Sequence, residues 1–253
     1  MLDDPELETL VSNIYNLAGK YGLPNFLVIE DSSKSVCTST GFRLNDDWKG
    51  DWQTNCLRTG NLGTVFLNLP RIAYEARRDD DTLLDTLSGI MKIIAEAFKS
   101  KRVAIGERMK QGLLPILSRT FDSTPYMYQN NGSYSISYVG LSEAVQYHTE
   151  GELHKDDKAM RLASEILSKI TQEAKAMSEE LDMRVQIAQR PGDEAATRLA
   201  ELDMEKYGRA TIVVEGTRAH PCYTDLTALP ASAKIALKDR ARVESKFQAA
   251  NSG

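Results

Sequence analysis

The hydrophobic positions change period along the chain. From Leu2 to Tyr21, the residues Leu7, Leu10, Val11, Ile14, Leu17 and Ala18 recur at helical spacing, and Gly22 and Pro24 follow as stop signals. That pattern predicts an amphipathic helix. Phe26–Ile29 is a short apolar run between turn residues, as expected of a buried strand. Residues 31–60 are polar and fit no period, which signals either a functional loop or elements that the pattern misassigns. Val65–Leu69 reads as a strand that Pro70 ends, and Pro70 can open the helix that follows. Helical spacing holds over Ile72–Ala76 and from Thr82 to about Met109, with Leu83, Leu84, Leu87, Ile90, Met91, Ile94, Ala97 and Phe98 on one face. Tyr134–Val139 alternates and is rich in β-formers, so it reads as a strand. Leu141–Thr149 and Lys155–Leu181 then read as helices, Arg184–Ala188 as a short strand, and Glu194–Tyr207 as a helix ended by Gly208. Ala210–Val214 reads as a further strand, and the tail from Ala231 as a helix. Strands separated by helices predict an α/β fold. With no repeat, low-complexity segment or clear linker, residues 1–253 read as one domain.

Composition narrows the function classes. Acidic residues outnumber Lys plus Arg by 36 to 31, which argues against a nucleic-acid binder. No apolar run reaches the roughly 18–20 residues that span a membrane, and the acidic start MLDDPELETL is unlike a secretory signal. Cys37, Cys56 and Cys222 are far apart and odd in number, which suits neither a disulfide framework nor a cysteine zinc site. A cytoplasmic protein with reduced thiols is expected. His148, His154 and His220 show no metal spacing and are expected at the surface. Trp48 and Trp52 are expected to anchor the long loop or to stack on a base.

The chemistry-bearing stretch is Thr59–Arg71, TGNLGTVFLNLPR. Gly60 and Gly63 permit a tight turn and close approach of a ligand. Asn61 carries a donor and an acceptor suited to a sugar hydroxyl. A plain turn before a buried strand fits the same residues. Arg190–Ala195, RPGDEA, opens a helix, and the backbone N–H groups of a helix start can bind an anion. A simple helix cap fits there equally well.

Taken whole, GNLGTVFLNLPRIAYEA resembles the anaerobic (class III) ribonucleoside-triphosphate reductases, glycyl-radical enzymes whose pattern there ends N-L-P-R-hydrophobic-A. Three further segments agree in order: Tyr138–Ala144 (YVGLSEA), Arg198–Gly208 (RLAELDMEKYG) and Tyr223–Leu226 (YTDL). The tail from Lys246 resembles the lead into that family's Gly-Gly turn. The resemblance implies part of a ten-stranded α/β barrel with a finger loop at about 31–60. It implies Cys37, with Arg43 close downstream, as the residue that becomes a thiyl radical. Cys56 lies too near the strand for that role, and Cys222 is expected to pack. Asn61 and Gly60 would hold the ribose, while Arg190, Glu194, Ala195 and Thr224 would meet the nucleotide. Implied partners are a ribonucleoside triphosphate, a radical-S-adenosylmethionine activating enzyme, and a complementary reductase chain or a second copy. No R-x-x-G-Y glycyl-radical segment, cysteine-rich zinc site or ATP-sensing region is recognised, so the chain alone is expected to hold no cofactor and to show no turnover.

The chain departs from the family pattern at four places. Phe66 stands where Thr is frequent, Arg190 replaces Thr, Gly192-Asp193 alter the turn, and Asp225-Leu226 replace Asn-Ser. The departure at Phe66 keeps the strand character, while those at Arg190 and Asp225 favour the rival reading, a non-catalytic nucleotide-binding or interaction module that kept the fold. A sister glycyl-radical lyase is a third reading, disfavoured by N-L-P-R.

Overall fold

The computed structural model describes residues 5–21, 36–37, 43–44, 53, 56–121, 123–217 and 219–248. Helix α1 spans Pro5–Tyr21, and Val36–Cys37 (β1) pairs antiparallel with Arg43–Leu44 (β2). The central strand segment is Asn61–Asn68 (β3), followed by α2 (Leu69–Ala76) and α3 (Asp80–Lys110). Thr120–Phe121 (β4) and Thr124–Pro125 (β5) form a small hairpin. Ser133–Val139 (β6) leads into α4 (Leu141–Thr149), then α5 (Asp157–Leu181), Arg184–Ile187 (β7) and α6 (Asp193–Tyr207). A last hairpin, Glu215–Gly216 (β8) with Pro221–Cys222 (β9), precedes α7 (Leu237–Gln248).

Three strands make the sheet that matters, in the order β3-β6-β7 and all parallel. The ladder runs Asn61 against Ser133, then Gly63 against Tyr134, so Leu62 is an extra residue at a bulge. Beyond it, Val65, Ile136 and Ile187 form one row, and Thr64, Ser135 and Gln186 the next. One face is therefore apolar: Leu67, Tyr134, Ile136, Tyr138 and Ile187 join one core with the helices. On α3 the buried stripe is Leu83, Leu87, Met91, Ile94 and Phe98. On α5 it includes Leu162, Ile166, Leu167 and Ile170. Each such side chain contributes roughly 1.5–3 kcal/mol by leaving water.

The strand–helix junction at Asn68 is set by local chemistry. Its Oδ1 accepts from the Arg71 backbone N–H at 3.1 Å, an N-cap, and Pro70 fits the first turn where no donor is needed. The strand is thus longer than the apolar run Val65–Leu69 predicts, and Leu69 already belongs to α2. Helix α5 starts at Asp157 because Asp156 caps it, accepting from Lys158 and Ala159 at 2.6 and 3.1 Å.

Several expectations change. Ala210–Val214 is not a strand: the Tyr74 hydroxyl both donates to the Val213 carbonyl and accepts from its N–H, each at 3.1 Å. One side chain thereby satisfies both backbone groups of Val213, and strand pairing is found instead at β8 and β9. His148 is buried and His154 half-buried, neither at the open surface, with side-chain exposures of 0 % and 6 %. The end of α4 turns His148 onto Asp80 at the start of α3, Nε2 to Oδ1 2.7 Å. Ala97 lies outside the α3 stripe and is exposed. The apolar stripe of α1 is exposed at Leu7, Leu10 and Leu17. The C-terminal helix begins at Leu237 rather than Ala231. Phe26–Ile29, Trp48 and Trp52 lie outside the described residues.

Candidate functional site

The second face of the sheet is polar along its N-terminal part, gives way to Phe66 and Val139 toward the C-terminal ends of the strands, and is mostly covered. It carries Asn61, Thr64, Phe66 and Asn68 of β3, Ser133, Ser135 and Ser137 of β6, and Arg184 and Gln186 of β7. The three serines are fully buried, and Arg184 and Gln186 are 6 % and 4 % exposed. Buried hydroxyls are ordinarily paired. Ser137 complies, donating to Gln189 Oε1 at 3.2 Å and accepting from the Arg190 N–H at 3.4 Å. The Ser133 and Ser135 hydroxyls have no hydrogen-bond partner among the described residues. A wall of alternating hydroxyl, amide and guanidinium groups behind an otherwise apolar sheet is what a polyhydroxylated ligand needs.

Asn61 sits at the N-terminal end of this wall, half-buried. Its Oδ1 accepts from the Gly63 N–H at 3.1 Å and its Nδ2 donates to Thr64 Oγ1 at 3.0 Å. The amide therefore closes the bulge, the turn reading of G-N-L-G. Gly60 accepts from the Ser133 N–H at 2.9 Å and a side chain there would meet nothing. Cys37 lies in β1, its backbone paired with Arg43, and its side chain is outside the described residues. Cys56 is half-buried, with its thiol directed to the Gln53 carbonyl at 3.5 Å.

Arg190, Glu194, Ala195 and Thr224 gather instead at the C-terminal ends of the strands, where ligands of parallel α/β sheets bind. Phe66, which reaches this end, is five residues from Asn61, about 16 Å at the rise of a strand. The predicted residues thus form two groups at the two ends of one polar face. Gly192 is the N-cap of α6 and has no side-chain cap of its own. A Cβ on it would lie 2.4 Å from the Phe66 ring, so only glycine lets Phe66 pack there. Its N–H donates to Asp225 Oδ2 at 2.6 Å. Glu194 is exposed, Arg190 and Ala195 are half-buried, and Thr224 is 8 % exposed.

Thr224 is held from behind. Its N–H and Oγ1 both donate to Glu143 Oε1, at 2.6 and 2.7 Å, and its carbonyl accepts from the Gly140 N–H at 2.8 Å. Glu143 is 2 % exposed, and its Oε2 has no partner among the described residues. Burial pushes this carboxyl up to about 7, against the pull of its Thr224 bonds and with a smaller push from Glu215. Gly140, at φ +73°, admits Pro70 and Tyr223, which a Cβ would meet at 2.3 and 3.3 Å.

Below this loop lies a cluster the residue patterns alone do not reveal. Asp203 is fully buried. It accepts from Asn68 Nδ2 at 2.8 Å, from Arg71 Nε at 2.6 Å and from the Tyr223 hydroxyl at 2.7 Å. Arg71 Nη2 adds an ion pair at 2.5 Å. The segments N-L-P-R, A-E-L-D and Y-T-D thus meet on one carboxylate. Their spacing in the chain hides this, since Asn68 and Arg71 lie more than 130 residues from Asp203.

Among the described residues no group of three His, Cys, Asp or Glu side chains could hold a metal ion, and no helix is long and apolar enough to cross a membrane.

The family model for the anaerobic ribonucleoside-triphosphate reductases matches residues 1–253. An anaerobic ribonucleoside-triphosphate reductase of Haemophilus influenzae is 26 % identical over 204 residues, covering 76 % of this chain and 28 % of that protein. That of Escherichia coli is 26 % identical over 198 residues, covering 74 % and 27 %. The anaerobic ribonucleotide reductase of Thermotoga maritima, solved with glycerol in the active site, aligns with a TM-score of 0.64 at 24 % identity over 75 % of this chain and 30 % of that one. The same enzyme solved with citrate gives 0.66 at 23 %, over 77 % and 34 %. The fold is therefore that α/β barrel, of which β3-β6-β7 is a parallel segment, and the chain spans less than a third of the curated relatives' length. With the whole chain matched and its four family segments assembled around one sheet, the protein belongs to the anaerobic ribonucleoside-triphosphate reductase family.

Proposed function

We propose that this chain supplies the substrate-facing wall of an anaerobic ribonucleoside-triphosphate reductase, reducing ribonucleoside triphosphates to deoxyribonucleotides for DNA synthesis. The observation that carries this reading is the buried polar face of β3-β6-β7, with the Ser133 and Ser135 hydroxyls unpartnered beside the G-N-L-G turn. Ribose hydroxyls both donate and accept, and such hydroxyls would satisfy them. In this reading residues 31–60 form the finger loop and Cys37 is the thiyl residue. Asn61 and Gly60 shape the wall beneath the ribose, and Arg190, Glu194, Ala195 and Thr224 border the far end of the nucleotide. A glycyl radical, stored in a segment or partner and generated by a radical-S-adenosylmethionine activating enzyme, would supply the oxidising equivalent. The protein works in the cytoplasm, as part of a reductase assembly.

The test is anaerobic purification of the tagged chain with its bound partners from the host, followed by activation with S-adenosylmethionine and addition of formate or a thiol-based reductant. Deoxyribonucleotide should form, and should vanish with Cys37→Ala. Absence of product from the assembly, or full activity of the Ala variant, contradicts the reading. A second reading, a non-catalytic module that kept the fold, is favoured by one observation: the Gly192 amide at the start of α6 is already bonded to Asp225.

A further inference from the structure

We propose that the cavity between α4 and the loop leading into α7 is a small-molecule site, built from residues outside the substrate wall, for a ligand that carries a carboxylate or phosphate group. The inference does not rest on the reductase reading, and its test reads binding alone.

The cavity measures about 370 Å³, within the range of small-ligand sites. Ser142 and Gln146, four residues apart, share the face of α4 that borders it. His154 reaches it from the turn between α4 and α5, and Lys234 from the loop before α7. Each of these four side chains keeps a polar group uncommitted among the described residues. The Ser142 hydroxyl, on a residue 5 % exposed, the Gln146 amide and the Lys234 ammonium make no hydrogen bond or ion pair there. The His154 ring carries the argument furthest. Its side chain is 6 % exposed, and Nε2 is buried with no hydrogen-bond partner, whereas buried polar atoms are ordinarily paired. Glu152 Oε2 stands 3.5 Å away without bonding it. A carboxylate at that distance favours a proton on Nε2 over the bare nitrogen.

The uncommitted groups select the ligand. A hydroxyl, a carboxamide, an imidazole N–H and an ammonium can each donate a hydrogen bond. One molecule that satisfies all four must accept from each, and an oxyanion accepts through every one of its oxygens. The two carboxylates beside them are already engaged. Glu152 Oε1 accepts from Lys155 Nζ at 2.7 Å, and that bond lowers the Glu152 carboxyl. Glu215 Oε2 accepts from the Ser232 hydroxyl at 2.6 Å. Lys155 and Lys234 offset Glu152 and Glu215 in charge, so affinity comes from directed donors rather than from a net positive field. Lys234 is exposed and the His154 side chain enclosed, which puts the cation toward solvent and the imidazole at the inner side of the cavity.

The experiment follows the ring signals of isotope-labelled histidine in the 253-residue chain by NMR while inorganic phosphate, or in a second series succinate, is added at constant pH and ionic strength. The chain has three histidines, and His154→Gln identifies the His154 signal by its loss. That signal should move saturably with at least one of the two anions while those of His148 and His220 hold still. A response to phosphate alone or to succinate alone tells the two ligand classes apart. Lys234→Ala, at an exposed position where the fold is not at stake, should weaken the affinity about tenfold, the worth of one charge-assisted hydrogen bond. Lys238→Ala, an exposed lysine that does not line the cavity, should leave it unchanged. No saturable movement with either anion, equal movement of all three signals, or the same affinity with and without Lys234→Ala overturns the inference.

Discussion

Replacing Glu143 by Gln removes a buried charge while keeping the carbonyl oxygen that accepts from Thr224. The carboxyl lies near 7 in the folded chain against an ordinary value of 4.5. Between those two pH values the folded state holds a proton that the unfolded state has released, so stability falls as pH rises through the window. At about 1.4 kcal/mol per tenfold change in proton affinity, the full loss is about 3 kcal/mol, present below pH 4.5 and gone above about 7. The Gln variant has no such proton. Urea unfolding of both proteins at fixed ionic strength, from pH 4.5 to 8, yields the difference in unfolding free energy at each pH. Other titrating groups are common to both proteins and cancel in that difference. The wild-type chain should lose about 3 kcal/mol relative to the variant across the window. A flat difference, or a wild-type gain with rising pH, refutes the assignment of a raised carboxyl to Glu143.

Three further outcomes follow from the geometry. Asp203→Ala leaves Arg71, Asn68 and the Tyr223 hydroxyl without their shared acceptor and should cost about 3–5 kcal/mol of unfolding free energy, measured in the same urea series, with Asp203→Asn costing less. Gly192→Ala should destabilise by steric conflict with Phe66, and Phe66→Ala should relieve it, giving a coupling energy of about 0.5–3 kcal/mol in a double-mutant cycle; strict additivity would show that the two residues do not meet. Gly140→Ala should lower the thermal midpoint more than an alanine substitution at the exposed Gly112, because Gly140 combines positive φ with Pro70 at 2.3 Å, whereas Gly112 has positive φ and open space.

Local pattern carried the helices because their buried stripes are written at fixed spacing, as on α3 and α5. It carried β6 too: Tyr134, Ile136 and Tyr138 alternate with Ser133, Ser135 and Ser137, and the alternation names both faces. What it does not say is that the serine face is covered, since exposure depends on what packs above it. Ala210–Val214 has the composition of a strand, but the backbone groups of Val213 are taken by Tyr74, a residue of α2. His148 looked like a surface histidine until α4 turned it onto Asp80. The candidate site was legible in the same uneven way. G-N-L-G and N-L-P-R marked the strand and its helix, yet the acceptor that binds Asn68 and Arg71 lies over 130 residues away. The departures at Phe66, Gly192 and Asp225, separate in the chain, became one contact set in space.

The bulge at Leu62 has a consequence for how this chain tolerates changes in length. Side chains alternate along a strand, so one added residue inverts everything beyond it. Because Leu62 is the extra position, Asn61 stays opposite Ser133 and strict alternation runs from Gly63 onward. Loops upstream of Asn61 can therefore grow or shrink without disturbing the wall. A single insertion directly after Gly63 would turn Val65 and Leu67 toward the serines and send Thr64 and Asn68 into the helical core. Length variation among homologous chains should stop abruptly at that bulge.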